Sequence, residues 1–361
     1  MNKSYYSLGL MSGTSMDGVD ASIIQSNGID EYKPIVNEYC QYNKDLYKNL
    51  NIIRDKINES QDLKALNKEL ILLEKEITLF HAEIVSKIIR KIDSNIHLIG
   101  FHGQTIFHNA AEKISKQLGD GKLLSKLTKK IVVYDFRQND LKNGGQGAPL
   151  TPIFHTIISN KLKKRLTSFL NIGGITNETV IQENGEFSAR DIGPGNCLID
   201  KWFKLNSDKI FDENGNVARS GKVNKIILDQ SLDTFYNNDI SHKKSYDVND
   251  FDLSFVRGLS LEDGAATLTD FTSEILSKKI LSNNIYVSGG GRKNQFLIER
   301  IENKIKSKLR LIDELDIDGD FVESQAFAFL AIRSYLKLPI TFPKTTGCKN
   351  PTIGGLIIKN F

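Results

Sequence analysis

Leu8-Gly9-Leu10-Met11-Ser12-Gly13-Thr14-Ser15-Met16-Asp17-Gly18-Val19-Asp20-Ala21-Ser22-Ile23-Ile24 reads as a strand, a tight loop and a second strand. Apolar residues crowd both arms, and glycine, hydroxyl and acid fill the turn between them. Gly13 and Gly18 have the glycine spacing of G-x-x-x-x-G-K-[ST], yet Val19 and Asp20 stand where Lys and Ser/Thr belong, so a P-loop is excluded. What remains is a loop whose backbone N–H groups, with the hydroxyls of Ser12, Thr14 and Ser15, can face phosphate oxygens. Asp17 or Asp20 can hold a hydrated Mg²⁺ through one carboxylate. The expectation is a chain that handles a nucleotide.

The pattern returns further along. Leu166-Thr167-Ser168-Phe169-Leu170-Asn171-Ile172-Gly173-Gly174-Ile175-Thr176-Asn177-Glu178-Thr179-Val180-Ile181 is again strand, Gly/Thr loop and strand. Ile23-Ile24-Gln25-Ser26-Asn27-Gly28 leaves the first hairpin much as Val180-Ile181-Gln182-Glu183-Asn184-Gly185 leaves the second. The echo points to a duplicated domain, each copy opening with a hairpin. A chain of 361 residues also exceeds the usual size of one core. We expect an α/β protein of two lobes, residues 1–150 and 151–361, divided somewhere near 140–168, with the last segment packing back on the first lobe.

Between the hairpins, Leu66, Leu70, Leu73, Ile77, Phe80, Ile84, Ile88 and Ile92 step by three or four, which predicts amphipathic helix. Two apolar runs, residues 96–105 and 131–137, end in polar tips, where ligands bind at one edge of an α/β sheet. The first carries His102, Gln104 and Thr105; the second carries Asp135 and Arg137. Polar ligand contact competes there with a satisfied core histidine and with an ordinary surface ion pair. Residues 142–150, Lys-Asn-Gly-Gly-Gln-Gly-Ala-Pro-Leu, are the densest turn signal and read as a hinge or domain link.

In the second half, Phe187-Ser188-Ala189-Arg190-Asp191-Ile192-Gly193-Pro194-Gly195-Asn196 reads as a strand and a rigid turn before a helix. Gly195 or Asn196 would cap that helix and leave its first N–H groups free for an anion. Asp191, at the strand end, reads either as a general base near a transferred phosphoryl group or as a capping acid. Residues 206–255 are polar and irregular. Gly289, Gly290 and Gly291 follow another strand and let a flat ring or a phosphate approach the backbone. Residues 323–333 form an apolar helix that should be buried, with Glu323 at its start as substrate contact or as an acid favouring the helix dipole.

The formal charge of +4 comes from 48 basic and 44 acidic residues interspersed along the chain, which argues against a nucleic-acid partner. Cys40, Cys197 and Cys348 form no metal spacing and suit a reducing cytosol. No signal-like apolar segment and no run of about 18 apolar residues occurs, so a cytoplasmic protein without membrane attachment is expected.

These motifs, in this order, resemble the anhydro-N-acetylmuramic acid kinase family, bacterial relatives of sugar kinases, actin and the seventy-kilodalton chaperones. The likeness is carried by residues 9–20, His102-Gly103-Gln104-Thr105, Asp135-Phe136-Arg137 with 144–150, residues 171–177, Asp191 with Gly193-Pro194-Gly195-Asn196, residues 289–291 with Asn294, and Glu323 with Ala326-Phe327-Ala328. It implies two ribonuclease-H-like, actin/hexokinase-like lobes with a nucleotide cleft between them. It also implies an ATP- and Mg²⁺-dependent reaction in cell-wall recycling. Water opens 1,6-anhydro-N-acetylmuramic acid at C1 while O6 receives the γ-phosphoryl group.

On that resemblance Asp191 activates the water. ATP meets Gly13, Thr14, Ser15, Met16, Asp17, Gly18, Val19 and Asp20, and the other loops supply Gly173, Gly174, Thr176, Asn177, Gly193, Gly195, Asn196, Gly289, Gly290 and Gly291. The sugar meets His102, Gln104, Thr105, Asp135, Arg137 and Glu323; Mg²⁺ meets Asp17 or Asp20. The family also implies a homodimer. Two departures stand out: His242-Lys243-Lys244-Ser245-Tyr246-Asp247-Val248 replaces a Pro-Lys-Ser-Thr-Gly-Arg-like segment, and Thr346-Gly347-Cys348-Lys349-Asn350 replaces a Thr-Gly-Ala loop. Two other readings are a kinase of a different amino sugar and a nucleotide-switched binding ATPase of the actin or chaperone kind.

Overall fold

The computed structural model describes residues 3–13, 15–162, 165–238 and 245–361. Its strands are β1 (Tyr5–Ser12), β2 (Gly18–Ser26), β3 (Tyr32–Gln41), β4 (Leu98–Asn109), β5 (Ile114–Leu118), β6 (Ile131–Tyr134), β7 (Thr167–Ile172), β8 (Ile175–Ile181), β9 (Phe187–Pro194), β10 (Ile285–Ser288), β11 (Leu309–Leu311) and β12 (Leu356–Ile358). One sheet has the order β12-β6-β4-β1-β2-β3, with β5 hairpinned onto β4; the other has the order β11-β10-β7-β8-β9.

In the first sheet β1, β2 and β3 pair antiparallel, while β1, β4 and β6 pair parallel. In the second, β7, β8 and β9 pair antiparallel, while β7, β10 and β11 pair parallel. Antiparallel neighbours close through short turns, whereas the parallel ones require crossovers, and the same sequence of both occurs twice. This is the ribonuclease-H-like pattern, duplicated as the two hairpins predict.

The chain separates into two compact units, Met1–Leu162 with Phe321–Phe361, and Lys163–Asp320. Compared with a division at residue 150, the first unit keeps the helix Pro152–Ser159 and regains the C-terminal segment. Packing explains both. The Phe154 ring lies 5.0 Å from Tyr32 and 5.8 Å from Phe329, within the first unit. Residues 142–150 are no free link either: Asp140 Oδ2 accepts from the Gly147 N–H at 2.8 Å, and its Oδ1 accepts from the Thr346 hydroxyl at 2.7 Å.

In the first unit the helices Lys44–Asp55 and Asn67–Ile89 cover one face of the sheet, packing Leu50, Leu70, Leu73, Ile77 and Ile84 with Leu8, Leu10, Val19 and Ile23. The other face carries the helix Val322–Tyr335, buried over nearly its whole surface as its apolar pattern predicts. Its approach is close enough to demand glycine. A Cβ on Gly9 would lie 1.9 Å from the Ser324 carbonyl oxygen, and one on Gly100 would lie 2.2 Å from that of Phe327.

In the second unit the helix Leu261–Lys279 starts on the Ser260 cap and packs Leu268, Phe271 and Ile275 with Leu198, Trp202 and Phe203. Residues 206–255 are less irregular than their composition predicts, since they contain the helices Asn216–Ser220 and Lys225–Asn237.

Candidate active site

Three glycine turns of the second unit meet at one end of β7. The β7–β8 turn is only Gly173-Gly174, and its carbonyls receive the N–H groups that follow β9: Gly195 to Gly174 at 2.8 Å, Asn196 to Gly173 at 2.8 Å and Cys197 to Gly174 at 3.2 Å. The last two of these N–H groups open the helix Cys197–Asn206, and the hairpin consumes them, so those two are not free for an anion. Gly195, Gly289 and Gly291 are fitted against β7, where a Cβ would lie 2.2 Å from the Gly173 carbonyl oxygen, 2.3 Å from Asn171 Oδ1 and 2.2 Å from Ile172 Cγ2 respectively. Gly173, Gly174 and Gly290 have room for a Cβ instead, which would lie no nearer than 3.5 Å to any atom. A flat ring or a phosphate fits against these three, the first group holding the cradle together.

Asp191 lies beside that cradle. The β8–β9 register passes from Thr176↔Gly193 to Asn177↔Asp191, so Ile192 is an extra residue, a β-bulge that turns inward to complete burial. The bulge sets Asp191 next to Asn177 and away from the core. Its Oδ2 accepts from the Tyr246 N–H at 2.8 Å and from the Ser245 hydroxyl at 3.2 Å, and Oδ1 has no partner among the described residues. Burial outweighs those two hydrogen bonds and pushes the carboxyl up to about 6. Asp200 is pushed equally high by burial, so the shift alone singles out neither acid. What distinguishes Asp191 is an ionisable oxygen held still at one end and left unpaired at the other, the requirement for a general base. Thr176 and Gly193 do not join it: Thr176 is buried with its hydroxyl on the Pro194 carbonyl, and a Cβ on Gly193 would meet Ile275 at 2.6 Å.

In the first unit the opening loop divides by strand alternation. Val19 points into the core with Ala21 and Ile23, and Met16, at φ 57°, is buried too, so neither side chain can meet a ligand. The Ser12 hydroxyl is spent inside the turn, donating to the Gly18 carbonyl at 3.0 Å and lying 2.6 Å from the Tyr42 hydroxyl. Gly18 packs on β3, where a Cβ would lie 2.6 Å from the Cys40 carbonyl. Gly13 is open, Asp17 is exposed with Oδ1 accepting from Ser15 at 2.5 Å, and Asp20 is half-buried on β2. Thr14 lies outside the described residues, as do His242, Lys243 and Lys244. Among the described residues no three His, Cys, Asp or Glu side chains form a metal cage. A hydrated Mg²⁺ needs only one or two carboxylates beside water and phosphate oxygens, so the lack of such a cage does not exclude one.

His102 and Arg137, expected as separate substrate contacts, bind one another. Arg137 donates to His102 Nε2 through Nε at 3.2 Å and Nη2 at 2.9 Å, and through Nη1 to the Gly147 carbonyl at 2.7 Å. His102 Nδ1–H donates to the Gly103 carbonyl at 2.8 Å, so both ring nitrogens are occupied. Burial and the adjacent guanidinium hold the imidazole well below its ordinary pKa, hence neutral. Burial lowers Arg137 to about 10, with the Glu323 carboxylate opposing, and it stays charged at neutral pH. Asp135 accepts from the Gln138 N–H, and among the described residues it forms no ion pair with Arg137. Gln104 is fully buried and donates to the Gly13 carbonyl at 2.9 Å, fastening the opening loop to β4; Thr105 accepts from Gln117 at 3.1 Å.

The residues missed from sequence are Ser245, Tyr246 and Asn171. Asn171 had a signal as part of the second hairpin motif, and Ser245 and Tyr246 only as part of the 242–248 segment that departs from the family.

A family model described as anhydro-N-acetylmuramic acid kinase matches residues 5–360. The chain is 51% identical over 375 residues to the anhydro-N-acetylmuramic acid kinase of Pelagibacter ubique, covering 100% of both. It is 36% identical over 364 residues to that of Zymomonas mobilis, covering 97% of this chain and 98% of the other. Among solved structures, gluconate kinase from Lactobacillus acidophilus aligns with a TM-score of 0.43 and 10% identity, covering 93% of this chain and 90% of that one.

Proposed function

Since the chain belongs to the anhydro-N-acetylmuramic acid kinase family and is a kinase acting on anhydro-N-acetylmuramic acid, we propose that Asp191 is the base that starts its reaction. Asp191 Oδ1 takes a proton from a water molecule directed at C1 of the 1,6-anhydro sugar. As the water oxygen bonds to C1, the C1–O6 bond breaks, and O6 bonds to the γ-phosphorus of ATP while the bond to ADP breaks. The products are N-acetylmuramic acid 6-phosphate and ADP, and the proton leaves Asp191 to solvent. One deprotonation thereby drives two bond exchanges, provided the groups are aligned.

The observation that carries this reading is the Asp191 carboxylate, anchored at Oδ2 and without a partner at Oδ1 among the described residues, beside glycines that leave room for a Cβ. We assign Gly173, Gly174, Asn196 and Gly290 to the nucleotide, together with Gly13, Ser15 and Asp17 of the first unit. Val19, Met16, Thr176, Gly193, Gly195, Gly289 and Gly291 build the loops. A hydrated Mg²⁺ would be held by Asp17 or Asp20, and when bound it neutralises phosphate charge. Arg137, Asp135, Thr105 and Glu323 meet the sugar, with His102 and Gln104 positioning Arg137 and the opening loop. The same reading takes the protein as a cytoplasmic homodimer in peptidoglycan recycling. The three free cysteines support the compartment, and the exposed Ile71, Leu72 and Leu79 on one helix support a second copy.

Turnover in ¹⁸O-labelled water tests the mechanism. The sugar phosphate should carry label at C1 and none in the phosphate bridge; label in free phosphate would mean plain ATP hydrolysis. A panel of anhydro and free amino sugars, read by ADP release, tests the substrate.

A further inference from the structure

Lys279, the last residue of the helix Leu261–Lys279, is half-buried beside aromatic rings. Its Nζ lies 5.3 Å from the Phe235 centroid and 5.1 Å from that of Tyr246, and it donates to the Tyr246 hydroxyl at 2.7 Å. The backbone N–H of the same tyrosine is the 2.8 Å donor to Asp191 Oδ2. A cation therefore grips one end of Tyr246, and the other end grips the carboxylate. The ring is packed in between, 5.3 Å from Phe251. Residues 247–250 follow as a capping-box turn that fixes the backbone after it.

Packing alone does not explain an ammonium here. Burial, and secondarily the charge of Arg190, push Lys279 down to about 8, so the position works against the charged form. A leucine or methionine would fill the space without that cost. Arg190 gives no relief, because its guanidinium donates to the Lys279 carbonyl oxygen and pairs with buried Glu178 at 3.4 Å. What the amine adds is a directed, charged hydrogen bond to Tyr246 and a cation over its ring.

We propose that Lys279 is a positioning residue for the Asp191 carboxylate, acting through Tyr246: the ammonium fixes the ring, the ring fixes the N–H, and the N–H holds Oδ2 so that Oδ1 meets the water. This rests on Asp191 being the base. Among the described residues, the groups that face this chain include Ser245 and Asn177 at Asp191, Arg190 at Lys279, and Asp250 and Tyr236 near Tyr246.

The test compares Lys279→Met, Tyr246→Phe, the double variant and Lys279→Arg, with kcat and both KM values measured from pH 5 to 9. Each of the first two should lower kcat about tenfold with KM for ATP unchanged, as expected for loss of one charged hydrogen bond felt in the transition state. The double variant should be no worse than either alone, because both remove the same link. Loosening the Tyr246 N–H removes a donor that favours the carboxylate, so the acidic limb should move up by about half a pH unit. Lys279→Arg should restore most of the rate. A Lys279→Met enzyme whose limb stays where the wild-type limb lies overturns the proposal, whatever its kcat, since a folding defect scales all pH values alike. Multiplicative losses in the double variant overturn it as well. An active Asp191→Asn enzyme would instead remove the premise, and with it the whole reading of the base.

Discussion

Burial pushes the Asp191 carboxyl up to about 6, so the folded chain binds that proton more tightly than the unfolded chain does. Stability therefore falls as pH rises from the ordinary aspartate value of 3.8 through about 6, the reverse of a salt-bridged carboxylate. Asp191→Asn should unfold at a higher denaturant concentration than wild type at pH 7, by up to about 3 kcal/mol, and lose that advantage near pH 3. The same substitution should cost roughly a thousandfold in kcat with ATP binding retained, as removal of a general base does. Near-normal turnover would exclude Asp191 as the base. In wild type, kcat/KM should climb with pH through about 6 as the carboxylate forms. His102 should add no limb of its own, because it is already neutral; ring NMR that finds it titrating between about pH 5 and 8 would contradict the Arg137 pairing.

Glycine had two meanings that sequence could not separate. Gly9 and Gly100 let the helix Val322–Tyr335 touch β1 and β4, so Gly100→Ala, with a Cβ 2.2 Å from a carbonyl, should destabilise the fold by at least about 2 kcal/mol in chemical denaturation. Gly289 sits at φ 80° with Asn171 2.3 Å from a built Cβ. Gly289→Ala should raise KM for ATP several-fold more than it lowers kcat, because it disturbs the cradle and leaves Asp191 alone. Equal effects on both would argue that the cradle does not hold the nucleotide. Loops rich in glycine were legible as a group, as were the helical spacing of Leu70 to Ile88 and the placing of Asp191 at a strand end. Strand alternation could have removed Val19, which falls in phase with Ala21 and Ile23. The partners of Asp191 could not be read, since Ser245 and Tyr246 belong to a polar stretch with no periodicity and reach the acid only through tertiary folding.

The duplication was legible because each copy opens with the same hairpin, and the strand orders repeat accordingly. The return of the chain from Phe321 onward was expected only in outline, and which sheet face it covers depends on Gly9 and Gly100. Lys163–Asp320 is continuous in sequence and owns all its core helices, so that fragment should unfold cooperatively by circular dichroism. Residues 1–162 alone should not, for want of the helix Val322–Tyr335. The same arrangement has a meaning in time. During synthesis the sheet of the first unit emerges, and then the ribosome must add residues 163–320 before the covering helix appears. At about 5–20 residues per second that is roughly 10–30 s in which one sheet face has no cover. The second unit is complete before the first, though it starts later. Nascent chains stalled near residue 320 should therefore show a protease-resistant second unit and a first unit that is still cut, the half begun first being the half finished last.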